Sequence, residues 1–519
     1  MALNLNPAHG AVPKRRVFAV LALIILFSEI ATFEILMVYP ALPRMSEAFE
    51  TVHIAWTASI LTLAGATVMP LVGKAADKWG KKRVIVLLGL VFIIGSVICA
   101  LASSFPVLLL GRALQGCLVG VVTMSYSLVR DIMPQDFVPI ALGTVVTGVG
   151  MSGVAGPFLA GWILDGFGYT GIFWFLALYV AVLLPLYGAL VPESPVRATR
   201  PIDYVGTALL GPGIAVLLLG VTQASEWGLT SGLTLTFLVL GAGMLIGFVC
   251  WERVCPHPLI DLQVLMGRRF GPTVLAVACV AYMMNTHSLI APTMLMTPEN
   301  IPGIGYGAGL SATEYAIWTC PMGIAGMILG PLGGLLAKRI GARQVLLGAS
   351  VLFLLAMYLG SRLFTVQWQV AIVSLTVGCA VGFLHSANAN LLQDALPASQ
   401  SGVGNSIGGM TALLTAGVAT ALTGSVMSND VLKVDPRTHS VLYEDAALTN
   451  GFLYASAVGV VGLVVILVMR HGRAPAQGGL ADQDDSLRPA GNVPLSTAHP
   501  TADSGAHPTA DSGLRRPTL

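Results

Sequence analysis

Three ionisable residues stand inside stretches that are otherwise apolar: Glu29 and Glu34 in the first, Arg112 in a later one. A charge in hydrocarbon is costly unless it is paired or wetted, so each is a functional candidate by default. The chemistry open to them is proton exchange. A carboxylate shielded from water can take up a proton and release it, and a guanidinium beside it stays charged throughout. Glu29 and Glu34 lie five positions apart, about 140° around a helix, so they do not share a face. The plainer alternatives are a structural hydrogen bond for Glu34 and snorkelling to water for Arg112. Gln115, Asn285, His287, His385 and Asn388 are further polar residues inside apolar runs, candidates for lining a cavity. A histidine there can carry a proton, though a packed, satisfied imidazole is the commoner case. The seven cysteines show no paired spacing, and no phosphate-binding loop or Ser-His-Asp set is visible. No metal, no cofactor and no enzymatic reaction are therefore expected.

These residues must be positioned by membrane helices. Of 519 residues, 55% are hydrophobic and only 10% charged, against about 25% in soluble domains. The mean hydropathy is +0.80. Runs of about 20 apolar residues recur, the length that crosses the hydrocarbon layer as a helix. Fourteen are expected, near 17–39, 54–73, 84–104, 107–129, 138–163, 171–191, 203–222, 232–251, 270–296, 310–336, 344–362, 367–391, 402–427 and 451–470. The first follows Lys14, Arg15 and Arg16 and lacks a cleavage site, so it reads as a retained helix. With both termini inside, 19 of the 27 Lys and Arg fall in inner segments and 4 in outer ones, as an even number of spans requires.

The sequence also repeats. GKAADKWGKKRV from Gly73 returns as GLLAKRIGARQV from Gly334, GCLVG from Gly116 as GCAVG from Gly378, and LVRDIMP from Leu128 as LLQDALP from Leu391. The offsets of 261 to 263 lie on one diagonal. They divide the chain into 1–16, an inner N-terminus; 17–191, a first six-helix bundle; 192–269, a linker with two added spans; 270–470, a second six-helix bundle; and 471–519, a polar, disordered tail holding AHPTADSG twice. The outer loop from Ser428 to Asn450 reads as surface without chemistry.

The loop Gly73 to Arg83 has turn-forming Gly73 and Gly80, a lone Asp77 and five cations. Its spacing resembles the signature loop between helices 2 and 3 of the major facilitator superfamily. LLGRALQGCLVG, with Arg112 and Gln115, resembles the fourth-helix motif of proton-coupled antiporters. GVGMSGVAGPFLAG, with Gly148, Gly153, Gly156, Pro157 and Gly161, resembles the antiporter motif of the drug-efflux branches, with Ala160 at one glycine of the pattern. FEILMVYPALP puts Glu34 on the membrane carboxylate of the fourteen-span branch, with Tyr39 and Pro40 departing from it. PIDYVGTALL and WERVCPHPLIDLQVLMGRRF resemble that branch's inserted pair.

The resemblance implies an all-α polytopic major facilitator fold, two six-helix bundles and two inserted helices, in the fourteen-span drug:proton antiporter branch. It implies proton-coupled efflux of amphipathic or cationic organic compounds by alternating access, driven by the proton-motive force without a cofactor. It gives proton coupling to Glu34, Arg112 and, without motif support, Glu29. It gives a latch across the halves to Gly73, Asp77, Gly80 and Arg83. The glycines of the fifth span are read as a groove for close helix contact, and Pro157 as a kink. The expected partners are a small organic molecule, protons and the bilayer, with no nucleic acid, for a monomer in the cell membrane with both termini cytoplasmic. Export of an endogenous metabolite, lipid or siderophore, proton-symport import and a non-transporting sensor are the alternatives.

Overall fold

The computed structural model describes residues 14–476 except 52–53, 55, 198–200, 229, 257, 260–266, 300, 303, 363–366, 396–400, 428–429 and 435–440. Residues 1–13 and 477–519, with the tandem repeat of the tail, lie outside the described residues. Thirteen described helices are long and apolar enough to cross a membrane. One, α8, has 53 residues, far more than the roughly 20 a crossing needs. It is broken at Gly168, whose φ of 70° costs glycine little, so it supplies two spans and brings the number to fourteen.

In chain order the helices are α1 (Lys14–Ser28), α2 (Ile30–Val38), α3 (Leu42–Ala48), α4 (Trp56–Trp79), α5 (Lys81–Ala100), α6 (Phe105–Gly116), α7 (Val121–Ile132) and α8 (Val138–Leu190). The inserted pair is α9 (Tyr204–Trp227) and α10 (Gly232–Val254). Then come α11 (Phe270–Met296), α12 (Ala312–Ile340), α13 (Ala342–Gly360), α14 (Gln367–Ala395), α15 (Ser401–Met427) and α16 (Asp445–Val468). Strands β1 (Val431–Val434) and β2 (Val441–Tyr443) pair antiparallel between α15 and α16. The described residues of 428–450 thus include this hairpin and the start of α16.

Two principal cores form. One gathers side chains between Val17 and Val191 with Ala389. The other draws on residues between Ala276 and Ala476. A smaller cluster joins Ala66 and Met69 of α4, Leu210 and Ile214 of α9, Phe248 of α10 and Met410 of α15. The inserted pair therefore packs against both bundles along one side.

Along another side α8 and α12 meet backbone to backbone. A Cβ at Gly143 would lie 2.4 Å from the Gly330 oxygen, one at Gly150 2.5 Å from the Gly323 oxygen, and one at Gly334 2.3 Å from the Pro139 oxygen. Only glycine permits such an approach, and in lipid this close fit supplies the helix association.

Three expected details differ. The first span is interrupted at Glu29, where the Tyr179 hydroxyl donates 2.6 Å to the Leu26 carbonyl that residue 30 would otherwise use. The fourth span is interrupted between Gly116 and Val121, where the chain passes close to α4 at Leu61, Gly65 and Met69. Gly73 is no turn. It lies buried inside α4, which continues to Trp79, and the loop reverses at Gly80 alone, with φ 117°.

Candidate functional site

Four helices converge on Arg112. The residue is 1% exposed, and Glu34 of α2 is equally enclosed. The Arg112 Nη1 donates to Glu34 Oε1 and, at 2.9 Å, to Gln115 Oε1 one turn along α6. Its Nε donates 3.0 Å to the Thr57 carbonyl at the start of α4. That carbonyl sits in the first turn of α4, close to where the Thr57 N–H bonds back to the Ile54 carbonyl. Gln115 is in turn fixed. Its Nε2 donates 2.8 Å to Ser96 Oγ of α5, and Ser96 donates 2.8 Å to the Phe92 carbonyl of its own helix. The amide oxygen therefore faces the guanidinium.

A buried ion pair is tolerable when further hydrogen bonds offset its desolvation, and the bonds to Gln115 and the Thr57 carbonyl do so here. Arg112 does not snorkel. Gln115 is fully buried and packs beside Arg112, the place that the fourth-helix motif implies for it, rather than lining a cavity. Ser96 and Thr57 were not singled out in the sequence, since one hydroxyl in an apolar run carries no pattern.

Glu29 occupies a separate site. It is fully buried, accepts 2.7 Å from Ser152 Oγ of α8, and leaves Oε1 without a partner. A Cβ at Gly148 would lie 2.1 Å from that oxygen. Gly148 of the glycine-rich helix thus makes room for this carboxyl. Gly150 packs on α12 and Gly156 on Leu36. Gly153 and Gly161 meet nothing within 4 Å, so the close-contact reading does not hold for those two. Pro157 stays inside α8.

The end of the bundle bearing the loops after α4 and α12, here the basic end, holds the second site. Lys81 is fully buried. It donates to Asp131 of α7, lies 3.9 Å from Asp77, and donates 2.8 Å to Ser401 Oγ at the start of α15. The bridge between halves expected of Arg83 is therefore made by Lys81. Arg83 points outward, and both its Nε, at 3.9 Å, and its backbone N–H meet Glu193 at the start of the linker. The reason is local: Gly80 starts α5 so that Lys81 faces inward, while Arg83, two positions on, turns about 200° away. Asp131 also accepts from Ser194 in the linker.

Further bonds cross the seam at this end: Arg130 to Gln393 at 3.3 Å, Asn390 to the Pro139 carbonyl at 3.3 Å and Asn405 to Ser127 at 2.6 Å. Lys338, which replaces Asp77 in the second copy of the loop, reaches the Asp136 carbonyl.

The remaining candidates are scattered. Asn285, half-buried, donates 2.8 Å to the Ala281 carbonyl of its own helix. His287 is buried with Nδ1 unpartnered and lines a cavity of about 20 Å³ with Thr319, Ser374 and Phe452, room for about one water. His385 is half-buried on α14. Asn388 lines another small cavity with Thr411 and Thr415. Among the described residues no cluster of His, Cys, Asp or Glu could hold a metal.

Fourteen spans, paired cores and an internally compensated ion pair define a polytopic membrane protein of transporter build. The chain belongs to the Major Facilitator Superfamily, whose model matches residues 22–283 and 273–502. It is 27% identical over 475 residues to an MFS-type transporter of Mycobacterium tuberculosis, covering 84% of this chain and 66% of that one. A multidrug resistance protein B homolog of the same species is 30% identical over 355 residues, covering 64% and 62%. The matches thus span just under two thirds of the length of these relatives. The multidrug export protein EmrB of Escherichia coli is 25% identical over 384 residues, covering 72% of each chain. In fold the chain is similar to the human organic anion transporter TETRAN, with TM-score 0.63 at 16% identity over 88% of this chain and 99% of that one. It is also similar to the proton:xylose symporter XylE, with TM-score 0.59 at 12% identity over 90% and 98%.

Proposed function

We propose that this chain exports small amphipathic organic compounds in exchange for protons, by alternating access between its two halves. The observation that carries the reading is the buried Glu34–Arg112 pair, supported by Gln115, Ser96 and Thr57. In the anionic state Glu34 is held by Arg112. A proton arriving from the outer face neutralises the carboxyl, weakens its hold on Arg112 and changes which orientation of the halves is favoured. The proton leaves to the inner face, and cargo bound between the halves moves the other way. The crossing bonds at the basic end fit a cleft closed on that side, taken here as cytoplasmic, with both termini cytoplasmic. The similarity to multidrug export proteins favours organic compounds as cargo over sugars or ions.

The test uses the full chain in proteoliposomes with an imposed pH gradient and a panel of fluorescent amphipathic dyes, neutral and cationic. Dye flux that follows the gradient and collapses with a protonophore is expected. Glu34→Gln should abolish gradient-driven flux while inserting and folding normally. Wild-type flux in that variant would reject the assignment.

A further inference from the structure

Thr57 carries an unused hydroxyl at the centre of the site. The residue is fully buried, its carbonyl accepts the Arg112 Nε–H, and its Oγ1 has no hydrogen-bond partner among the described residues. A buried polar atom without a partner costs stability, and a valine would fill the same space without that cost. The hydroxyl lies on the residue that touches the guanidinium, beside side chains that are already engaged. Gln115 already accepts from Arg112 Nη1, and its amide is pinned by Ser96.

The network as seen suits an anionic Glu34. Adding one proton changes its arithmetic. The carboxyl becomes an O–H donor with less acceptor capacity, while Arg112 keeps its charge and all its N–H groups. One more acceptor is then needed beside the pair, and a hydroxyl oxygen supplies it with two lone pairs. The other titratable groups that feel Glu34 and Arg112 are Tyr39, just beyond α2, and Cys99 of α5. The Tyr39 oxygen can also accept, but Tyr39 is 54% exposed, whereas Thr57 is fully buried beside the guanidinium. The Cys99 thiol already faces Gln115 Oε1 at 3.8 Å.

We propose that Thr57 is a positioning residue for the Glu34–Arg112 pair, its hydroxyl receiving the hydrogen bond set free when Glu34 binds a proton. The proton itself stays on Glu34 until it leaves; Thr57 gains and loses none. This rests on the proton-exchange reading above, so the test reads the proton directly and needs no cargo.

The experiment is infrared difference spectroscopy of the full chain in lipid nanodiscs, titrated with acid and base, following the C=O stretch of protonated carboxyls. The band missing from Glu34→Gln belongs to Glu34. In Thr57→Val, which retains the shape and lacks the hydroxyl, that band should shift in frequency. Its midpoint should fall by about half to one pH unit, the worth of one hydrogen bond. Thr57→Ser should behave like the wild type. Thermal unfolding of Thr57→Val at neutral pH should be unchanged or higher, because an unpaired polar group has been removed. If no titrating band is lost in Glu34→Gln, the proton-exchange reading fails. If the band titrates and Thr57→Val leaves its frequency and midpoint unchanged, the role of Thr57 fails while that reading stands. If Thr57→Val unfolds well below the wild type, the hydroxyl is bonded in the resting state and the proposal is overturned.

Discussion

At the scale of single residues the pair of Glu34 and Arg112 sets the terms. Each is held at 1% exposure, so neither can fall back on water when the other is removed. Arg112→Leu strands an anion and should cost about 3–5 kcal/mol, seen as a large drop in thermal unfolding temperature. Arg112→Leu combined with Glu34→Leu removes both charges and should recover most of that loss, while transport stays absent. A double variant no more stable than Arg112→Leu alone would show that the two do not act as a pair. The pair was legible because both residues are charges in apolar runs, a pattern rare enough to mark them. Their supports were not. Thr57 and Ser96, like Ser152 beside Glu29, are ordinary small polar residues, and only the packing of α2, α4, α5, α6 and α8 shows which group each one meets.

At the scale of elements the glycines of α8 divide by what stands opposite them. A Cβ at Gly148 would be driven into Glu29, whereas one at Gly161 would meet nothing. Gly148→Ala should destabilise the protein by about 1–3 kcal/mol through overpacking. Gly161→Ala should stay within about 0.5 kcal/mol of the wild type. Unfolding temperatures of the two in the same detergent check the contrast, and equal effects would mean that α1 and α8 are not seated as described. The sequence made the helix and its glycine content plain, but not which glycine faces which neighbour. The spacing 148, 150, 153, 156 and 161 runs round the helix, and the neighbours come from distant parts of the chain. The same limit explains Lys81 and Arg83. Five cations in eleven residues announce a basic loop. Which of them turns inward depends on where α4 ends, and that point, Gly80, lies well beyond the end at residue 73 that the apolar run suggests.

At the scale of the whole molecule the two bundles touch in two unlike ways. The contact of α8 with α12 is close and backbone on backbone, with Thr147 donating 3.2 Å to the Met327 carbonyl across it, so it resists separation but can serve as a pivot. The contact at the basic end is polar and made of discrete bonds, which can be broken and replaced by water. Lys81 is its centre, because its ammonium serves Asp131 on one half and Ser401 on the other. Removing that charge leaves Asp131 buried beside Ser194 alone while the end is closed, and hydrated once it opens, so the closed state loses more than the open one. A charge-assisted hydrogen bond is worth about 1.5–3 kcal/mol, which corresponds to roughly a ten- to hundredfold shift in the ratio of the two states. In a background where Gln393, buried at the seam, is replaced by cysteine, Lys81→Gln should raise the rate of maleimide labelling from the basic face by about tenfold or more. Arg83→Gln, exposed beside Glu193, should change it by less than about twofold, because among the described residues its ion pair is with Glu193 and not with the other half. The reverse order would place the bridge on Arg83, as the family resemblance of the loop implies, and would remove Lys81 from the centre of the gate.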